Sequence, residues 1–294
     1  ISAVYVHSES SKEREEKNFP GKVYTDYDAF LETKPDCVIF MLKYGAALPF
    51  AEKAMEHGIP VFCETPPATT VEELNAWYQA KERYNGKVQV AEQYCFQPYY
   101  QALIKMIEDG KLGTVSNLEL SQAHDYHGMS IMRRLLGVGM ENCKITARTY
   151  EFPVNYHCGR EGLHRGEKTI MDTRKRAEFV FPNGKVGFFD FACEQYFNYF
   201  RTRHLNLQGD QGEVYDQQAA WLGEDGYPVQ GTIVRDELGQ YSNLEGYGMR
   251  SLRLNGEILY YNPYVDRDLR LTDEEIAIAQ MMEGMKAYVE TGKE

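Results

Sequence analysis

Residues 36–66 read DCVIFMLKYGAALPFAEKAMEHGIPVFCETP, and this stretch decides the fold class. The run Cys37–Leu42 is apolar without alternation, as expected for a strand that is buried on both faces. A helix is predicted over Ala46–His57, Gly58 is the residue that ends it, and Pro60–Cys63 is the next predicted strand. A strand, a helix and a second strand joined by short connections indicate a parallel sheet with right-handed crossovers.

The same alternation extends to both sides of this stretch. Ile1–Val6 is a predicted strand because it is a short apolar run rich in β-branched residues, and Lys87–Val90 is a further predicted strand. Asp26 is a predicted helix N-cap, and Thr70 with Glu73 forms the capping-box pattern of another helix start. We therefore predict a Rossmann-type α/β domain over residues 1–114.

After Gly113 the pattern changes, and a second domain of α+β type is predicted over residues 115–294. The turn signal at Pro182-Asn183-Gly184 separates two apolar runs, which is typical of antiparallel strands. We expect a largely antiparallel open sheet. The predicted elements are strands Val115–Gln122, Ala177–Phe181, Val186–Phe191 and His204–Gln208, with helices His127–Leu136 and Ile276–Val289.

Composition limits the classes of partner. The formal net charge of -12 argues against a nucleic-acid backbone or an anionic membrane surface as the main partner. No run of about eighteen apolar residues is present, so no membrane-spanning helix is expected. Six cysteines without a C-x-x-C pair indicate free thiols, a reducing compartment and a cytoplasmic location.

Ligands of parallel α/β sheets bind beyond the carboxyl ends of the strands. We therefore expect the chemistry of this chain at those ends, which carry the pairs His7-Ser8, Lys43-Tyr44, Glu64-Thr65 and Glu92-Gln93.

Several motifs, taken in order along the chain, resemble the glucose–fructose oxidoreductase / inositol dehydrogenase (Gfo/Idh/MocA) family. They are the stretch 36–66 quoted above, QYCFQP at 93–98, IEDGKLG at 107–113, His127 ahead of RRLLG at 133–137, LNLQGDQG at 205–212 and YVETG at 288–292. The resemblance aligns the first residues with the second strand of the family. It therefore implies that the glycine-rich strand-turn-helix unit of the family is not part of this sequence.

The resemblance implies an oxidoreductase that uses NAD or NADP to move a hydride to or from a CH–OH carbon. It implies a carbohydrate-like substrate, namely a sugar, sugar acid or cyclitol, and a homo-oligomer, a dimer or a tetramer. No metal is expected, although His124-x-x-His127 with Asp125, and His157 with His164, invite a zinc hypothesis.

Three catalytic residues follow from the same resemblance. His127 takes the place of the catalytic histidine, a residue type suited to remove a hydroxyl proton near neutral pH. The family aspartate three residues later is Ser130, and Thr65 replaces the lysine that orients the substrate hydroxyl. Lys43 could supply the missing ammonium group, or could pair with a pyrophosphate oxygen or simply be solvated.

Residues at the other strand ends are assigned to the cofactor. Tyr44 would stack on a ring of the dinucleotide, and Glu64 would contact its ribose. The full set of expected cofactor contacts is His7, Ser8, Leu42, Tyr44, Glu64 and Gln93.

Two alternatives to a simple dehydrogenase stay open. A glycosidase-like enzyme of the same fold would oxidise its substrate transiently with bound NAD, and loss of the family lysine would suit that chemistry. A non-catalytic dinucleotide-binding protein would explain why several residues of the family pattern are replaced in this sequence.

Overall fold

A computed structural model describes residues 1–238, 248–267 and 270–293. The chain divides into two compact units, one formed by residues 1–92 with those from 281 onward, and one formed by residues 93–280. The boundary predicted after residue 114 lies inside the second unit. The reason is that helix α5 (Pro98–Glu108) contributes Leu103 and Met106 to the apolar core of that unit.

The first unit alternates short strands with helices, as the sequence predicts. Its strands are β1 (Val4–Tyr5), β2 (Val23–Tyr24), β3 (Val38–Phe40), β4 (Val61–Cys63) and β5 (Val88–Val90), and its helices are α1 (Glu9–Glu15), α2 (Tyr27–Leu31), α3 (Leu48–Glu56) and α4 (Val71–Tyr84).

Local sequence features fix three of these helix ends. The Asp26 carboxylate accepts hydrogen bonds from the first amides of α2, which confirms the predicted cap. Gly58 follows α3 with a φ of +71°, the left-handed conformation expected for a glycine at this position. Thr70 accepts from the Glu73 amide at 3.1 Å, but the Glu73 carboxylate reaches back to Thr69, one residue before the cap. The predicted capping box is therefore confirmed in one of its two bonds.

All strand pairs of the first unit are parallel, which confirms the predicted class. β1 pairs with β2, while β3, β4 and β5 form a separate three-stranded sheet in that order. β4 is buried on both faces, because Val61 packs in the core with α3 and α4 while Phe62 packs against Met281 and Met285 of the last helix. Burial on both faces was also expected for β3, and this was wrong. Its Ile39 is the register partner of Phe62 and is half exposed.

The second unit carries one large sheet and two helices that position the site. Besides α5 it contains α6 (Asp125–Leu136), and α7 (Asp273–Thr291) begins in it. Its strands are β6 (Val115–Ser121), β7 (Lys144–Gly159), β8 (Gly162–Val180), β9 (Val186–Ala192), β10 (His204–Gly209), β11 (Gly212–Tyr215), β12 (Gln218–Leu222), β13 (Pro228–Leu238), β14 (Gly248–Leu254) and β15 (Glu257–Tyr261).

The ten strands follow the order β15-β14-β13-β12-β11-β10-β6-β9-β8-β7. All pairs are antiparallel except β6 with β9, so the predicted largely antiparallel sheet is confirmed. The predicted strand Ala177–Phe181 is the end of the much longer β8, which pairs with β7 in a long hairpin. The strands after residue 212 were not predicted.

One side of this sheet packs on α5 and α6. The core on that side includes Leu118, Leu120, Phe189 and Leu205, all buried. Among the helices in the described ranges, none is long and apolar enough to cross a membrane.

Candidate active site

His127 stands in the first turn of α6 and is 8% exposed. The chain enters this helix directly from strand β6 through His124, which is the N-cap residue and has extended backbone angles. Asp125 has a positive φ of +31°, and its carboxylate accepts two hydrogen bonds from the Lys175 ammonium at 2.7 and 2.9 Å. This ion pair ties the start of α6 to strand β8.

Aromatic rings surround the imidazole of His127. The centroids of Tyr94, Tyr126 and His124 lie 4.5, 4.4 and 4.9 Å from its own centroid. Tyr94 belongs to a 3₁₀ turn at Tyr94–Phe96 that precedes α5. The rings limit the orientations of the imidazole and restrict the access of water, two conditions that favour directed proton transfer.

Tyr196 connects these groups by hydrogen bonds. Its hydroxyl oxygen accepts from the His124 amide at 2.9 Å and from the Tyr94 hydroxyl at 3.5 Å. Burial, followed by the hydrogen bond with Tyr94, raises the pKa of Tyr196, so the phenol keeps its proton at neutral pH. Gln195 holds this turn in place, because its amide group bonds Ala192, Ser121 and the Thr202 carbonyl.

Close packing fixes the height of α6 above the sheet. A Cβ added at Gly128 would lie 2.6 Å from Phe189 Cε2 and 3.0 Å from the Ala123 carbonyl oxygen, so only glycine fits here. Ser130, which stands where the resemblance would place an aspartate, lies 3.5 Å from the Cys95 thiol.

The residues that follow β3 and β4 lie side by side at one edge of the β3–β4–β5 sheet. The Glu64 amide donates to the Phe40 carbonyl at 3.0 Å, so the residues after β3 and those after β4 are neighbours. Leu42, Lys43, Tyr44 and Glu64 are all exposed there.

Thr65 differs from the other residues at this edge because it is buried. Its hydroxyl donates to Glu64 Oε1 at 3.2 Å, and its amide donates to the same oxygen at 2.9 Å. The hydroxyl is therefore used to fix the Glu64 carboxylate. The assignment of Thr65 to the substrate hydroxyl stays a prediction.

His7 and Ser8 follow β1, in the other sheet of the first unit. His7 is exposed, while Ser8 is the N-cap of α1 and accepts from the Ser11 amide at 3.2 Å. Gln93 opens the second unit and donates from its side-chain amide to Glu274 at 3.1 Å. The described hydrogen bonds do not join β1 and β2 to the β3–β4–β5 sheet.

The first turn of α3 suits an anionic ligand. Its N-cap is Ala47, which provides no side-chain cap, and Pro49 at the second helical position has no N–H, so the first turn offers the Leu48 and Phe50 amides as donors. Lys43 and the positive-φ residue Gly45 precede this turn. These two amides and the exposed Lys43 ammonium are the candidate contacts for the pyrophosphate of a dinucleotide, although the Glu73 carboxylate lies beside Gly45.

The histidines of the zinc hypothesis have other partners. His157 accepts from the Tyr199 amide at 3.3 Å, and His164 packs on Tyr156 with centroids 4.7 Å apart. Within the part of the chain that the structure describes, no three His, Cys, Asp or Glu side chains are arranged to hold a metal ion.

Tyr94 and Tyr196 are the site residues that sequence reasoning missed. Tyr94 lies inside the QYCFQP motif and follows a strand end, which is a usable signal. Tyr196 opens the aromatic run at 196–200, and nothing in this run marks one hydroxyl for the site. Only the fold shows that the Tyr196 hydroxyl accepts a hydrogen bond from the amide of His124, the residue before α6.

The first 92 residues match the model of the oxidoreductase family with an NAD-binding Rossmann fold, GFO_IDH_MocA. This match confirms the family resemblance for residues 1–92 and agrees with the expectation of a nicotinamide dinucleotide.

Two curated relatives match parts of the chain. The Bacillus subtilis protein YteT, which is named as an oxidoreductase, is 35% identical over 112 residues, or 36% of this chain and 26% of its own length. Glycosyl hydrolase family 109 protein 2 of Bacteroides fragilis is 29% identical over 90 residues, or 31% of this chain and 21% of its own. The matched segments thus span about a quarter of the length of these relatives.

Solved structures share the fold over the whole chain. One is an oxidoreductase from Agrobacterium radiobacter in complex with NAD+, L-tartaric acid and magnesium. It has a TM-score of 0.65 at 15% identity, and the match covers 100% of this chain and 82% of the other chain. Another is levoglucosan dehydrogenase in complex with NADH and levoglucosan. It has a TM-score of 0.64 at 17% identity, and the match covers 99% of this chain and 81% of the other chain. At these identities the likeness establishes the fold.

Proposed function

Since residues 1–92 belong to the Gfo/Idh/MocA oxidoreductase family, we propose that this protein is an NAD(P)-dependent oxidoreductase that acts on a CH–OH group of a sugar, sugar acid or cyclitol. The observation that carries the proposal is the enclosed imidazole of His127, held by Tyr94, Tyr126 and His124 at the start of α6.

In this proposal His127 is the acid/base. A ring nitrogen of the imidazole accepts the substrate hydroxyl proton as the carbon–hydrogen bond breaks, and it returns the proton in the reverse direction. When bound, the dinucleotide supplies the acceptor of the hydride. The Tyr196 hydroxyl holds the His124 amide, which keeps the first turn of α6 and therefore His127 in place.

The exposed edge after β3 and β4 is the proposed cofactor contact. Lys43 and the Leu48 and Phe50 amides of α3 would bind the pyrophosphate. Tyr44 would stack on a ring, and Glu64, fixed by Thr65, would bind a ribose hydroxyl. The proposal retains Leu42, His7, Ser8 and Gln93 as cofactor contacts, and either NAD or NADP as the cofactor.

The substrate class is supported by the relatives. Levoglucosan dehydrogenase and the family 109 glycosyl hydrolase both carry names of carbohydrate enzymes. The proposal includes a cytoplasmic location, where the six free thiols would stay reduced. It also includes self-association into a homo-oligomer.

A glycosidase-like activity is the second candidate. It is favoured by the 29% identity to glycosyl hydrolase family 109 protein 2 and by Thr65 in the place of the family lysine.

One set of assays separates these functions. The protein is incubated with NAD or NADP and a panel of sugars, sugar acids and cyclitols, and then with chromogenic glycosides. We expect absorbance of reduced nicotinamide with at least one polyol. Glycoside cleavage without net reduction of the dinucleotide would support the second candidate. Binding of the dinucleotide without either reaction would overturn both and favour a non-catalytic protein.

A further inference from the structure

A depression of about 290 Å³ in the first unit is lined by helix α4, strand β5 and Tyr288 of α7. Its volume is close to the lower limit of small-molecule sites, about 300 Å³. The α4 residues that line it are spaced three or four positions apart and therefore share one face of the helix. They are Leu74, Trp77, Tyr78 and Lys81. No residue of the proposed catalytic site or of the proposed cofactor contacts lines this depression, which we call the β5 pocket.

Two aromatic walls of the β5 pocket are held in place by other residues. The Trp77 indole N–H donates to the Pro67 carbonyl at 3.0 Å. The Lys87 ammonium lies 5.8 Å from the centroid of the Tyr288 ring and donates to the Tyr288 carbonyl at 3.4 Å. Both rings are buried, whereas Tyr78 is 53% exposed. The pocket thus combines fixed apolar walls with an accessible ring, as is typical of preformed sites for small molecules.

Strand β5 presents backbone hydrogen-bonding groups to the same pocket. It is the last strand of the β3–β4–β5 sheet, and no other described strand pairs with it. The Lys87 carbonyl and the Ala91 amide bond β4. Because peptide groups alternate in direction along a strand, the groups of Val88 and Val90 point to the free edge. Among the described hydrogen bonds the Val90 carbonyl accepts from the Glu92 amide at 2.9 Å, while the Val88 carbonyl and the Val90 N–H have no partner.

The Val88 carbonyl and the Val90 N–H form an acceptor and donor pair. In a longer parallel sheet, a single residue of the next strand would bond both groups through its own N–H and C=O. A flat ring that carries a donor beside an acceptor can form the same two bonds, and the amino group and N1 of adenine have this arrangement. A whole strand fits less well, because β5 has three residues and the Val90 carbonyl is occupied. The edge therefore favours a small ring.

We propose that the β5 pocket binds the adenine ring of a nucleoside or nucleotide. The adenine amino group donates to the Val88 carbonyl, and N1 accepts from the Val90 N–H. The faces of the ring pack on the apolar side chains of α4 and on Tyr288. This site is separate from the proposed cofactor contacts, since β5 and β3 are the opposite edge strands of the sheet. It does not depend on the proposed activity.

Calorimetric titration compares adenosine with purine riboside, which lacks the amino group. We expect adenosine to bind with a Kd of about 0.1 mM, a value usual for a ligand of its size. Purine riboside should bind about tenfold more weakly, because the Val88 carbonyl loses its donor. A titration with AMP distinguishes the sources of the ring: tighter binding than adenosine identifies the nucleotide as the preferred ligand, and weaker binding identifies the nucleoside.

Two variants remove one contact each. Tyr78→Ala removes an exposed ring, and Val90→Pro removes an N–H that faces the free edge, a position where sheets accept proline. Each should weaken adenosine binding about tenfold. Val71→Ala is the matched control, because Val71 is another exposed apolar residue of α4 and does not line the pocket. It should retain the affinity within about twofold. Circular dichroism verifies that all variants fold.

Photolabelling with 2-azidoadenosine, followed by peptide mass spectrometry, locates the ring. We expect label within residues 71–90 or on Tyr288. Label confined to the residues after β3 and β4 would mean that adenosine occupies only the proposed cofactor contacts, and it would overturn this proposal while leaving the proposed function intact. The proposal would also be overturned by absence of binding at about 5 mM adenosine, by equal affinity for purine riboside, or by unchanged affinity in both folded variants.

Discussion

The Tyr196 hydroxyl accepts the backbone N–H of His124 at 2.9 Å. This bond joins two segments that are far apart in the sequence and holds the residue in front of α6. Because His127 lies one turn further along, a side chain that need not touch the substrate determines where the proposed acid/base is placed.

Removal of this acceptor tests the relationship. In Tyr196→Phe the half-buried His124 amide loses this acceptor, and the loss of such a hydrogen bond costs about 0.5–1.5 kcal/mol. We expect kcat of the polyol oxidation to fall about tenfold, with a smaller effect on the KM for the dinucleotide. Steady-state kinetics measures both constants.

Tyr199→Phe is the matched control, since Tyr199 lies in the same loop and is 75% exposed. It should retain kcat within about twofold, the range usual for exposed positions without a special role. Equal losses in the two variants would mean that the loop, and not the Tyr196–His124 bond, positions the helix.

Gly128→Ala should destabilise the protein. The new methyl group would lie 2.6 Å from Phe189, so α6 or the sheet has to move, which costs about 1–3 kcal/mol of unfolding free energy. Gly284→Ala is the control, because this glycine is exposed in α7 with nothing within 4 Å of the added Cβ. It should stabilise by about 0.5–1 kcal/mol, since alanine favours a helix over glycine. Urea denaturation measures the change in unfolding free energy of each variant. Changes of the same sign in both variants would refute the packing argument.

Lys43→Met should raise the KM for the dinucleotide about tenfold and leave kcat within about twofold, because we assign its ammonium to the pyrophosphate beside α3. Lys17→Met, which removes another exposed ammonium group, should change neither constant. If kcat falls instead while the KM for the dinucleotide is unchanged, Lys43 acts on the substrate and replaces the family lysine.

The cysteines should differ in reactivity. Cys63 is 2% exposed, and burial raises its pKa to about 11, so about one thiol in a thousand is ionised at pH 8. Cys193 is exposed. Treatment of the folded protein with iodoacetamide, followed by peptide mass spectrometry, should find Cys193 modified before Cys63. Denaturation should remove the difference. Faster modification of Cys63 in the folded protein would contradict its buried position.

The first unit could be predicted because its signals are local. The Asp26 cap, the Gly58 helix end and the apolar run of β4 each act within a few residues, and the structure confirms them. The half-exposed Ile39 could not be predicted, because its environment depends on where the last helix packs.

The second unit was harder to predict where its strands have no buried face. Residues 144–153 of β7 are all exposed, so no alternation of apolar and polar side chains marks this strand. His127 was predicted as catalytic from the family motif, and its neighbours Tyr94 and Tyr196 required the fold.

The most direct test of the proposed function is the rate of polyol oxidation by His127→Ala. If the imidazole transfers the proton, kcat should fall at least about a hundredfold, dinucleotide binding measured by calorimetry should be unchanged, and added imidazole should restore part of the rate. A folded His127→Ala protein that oxidises the same polyol within about threefold of the unmodified rate would show that His127 is not the acid/base.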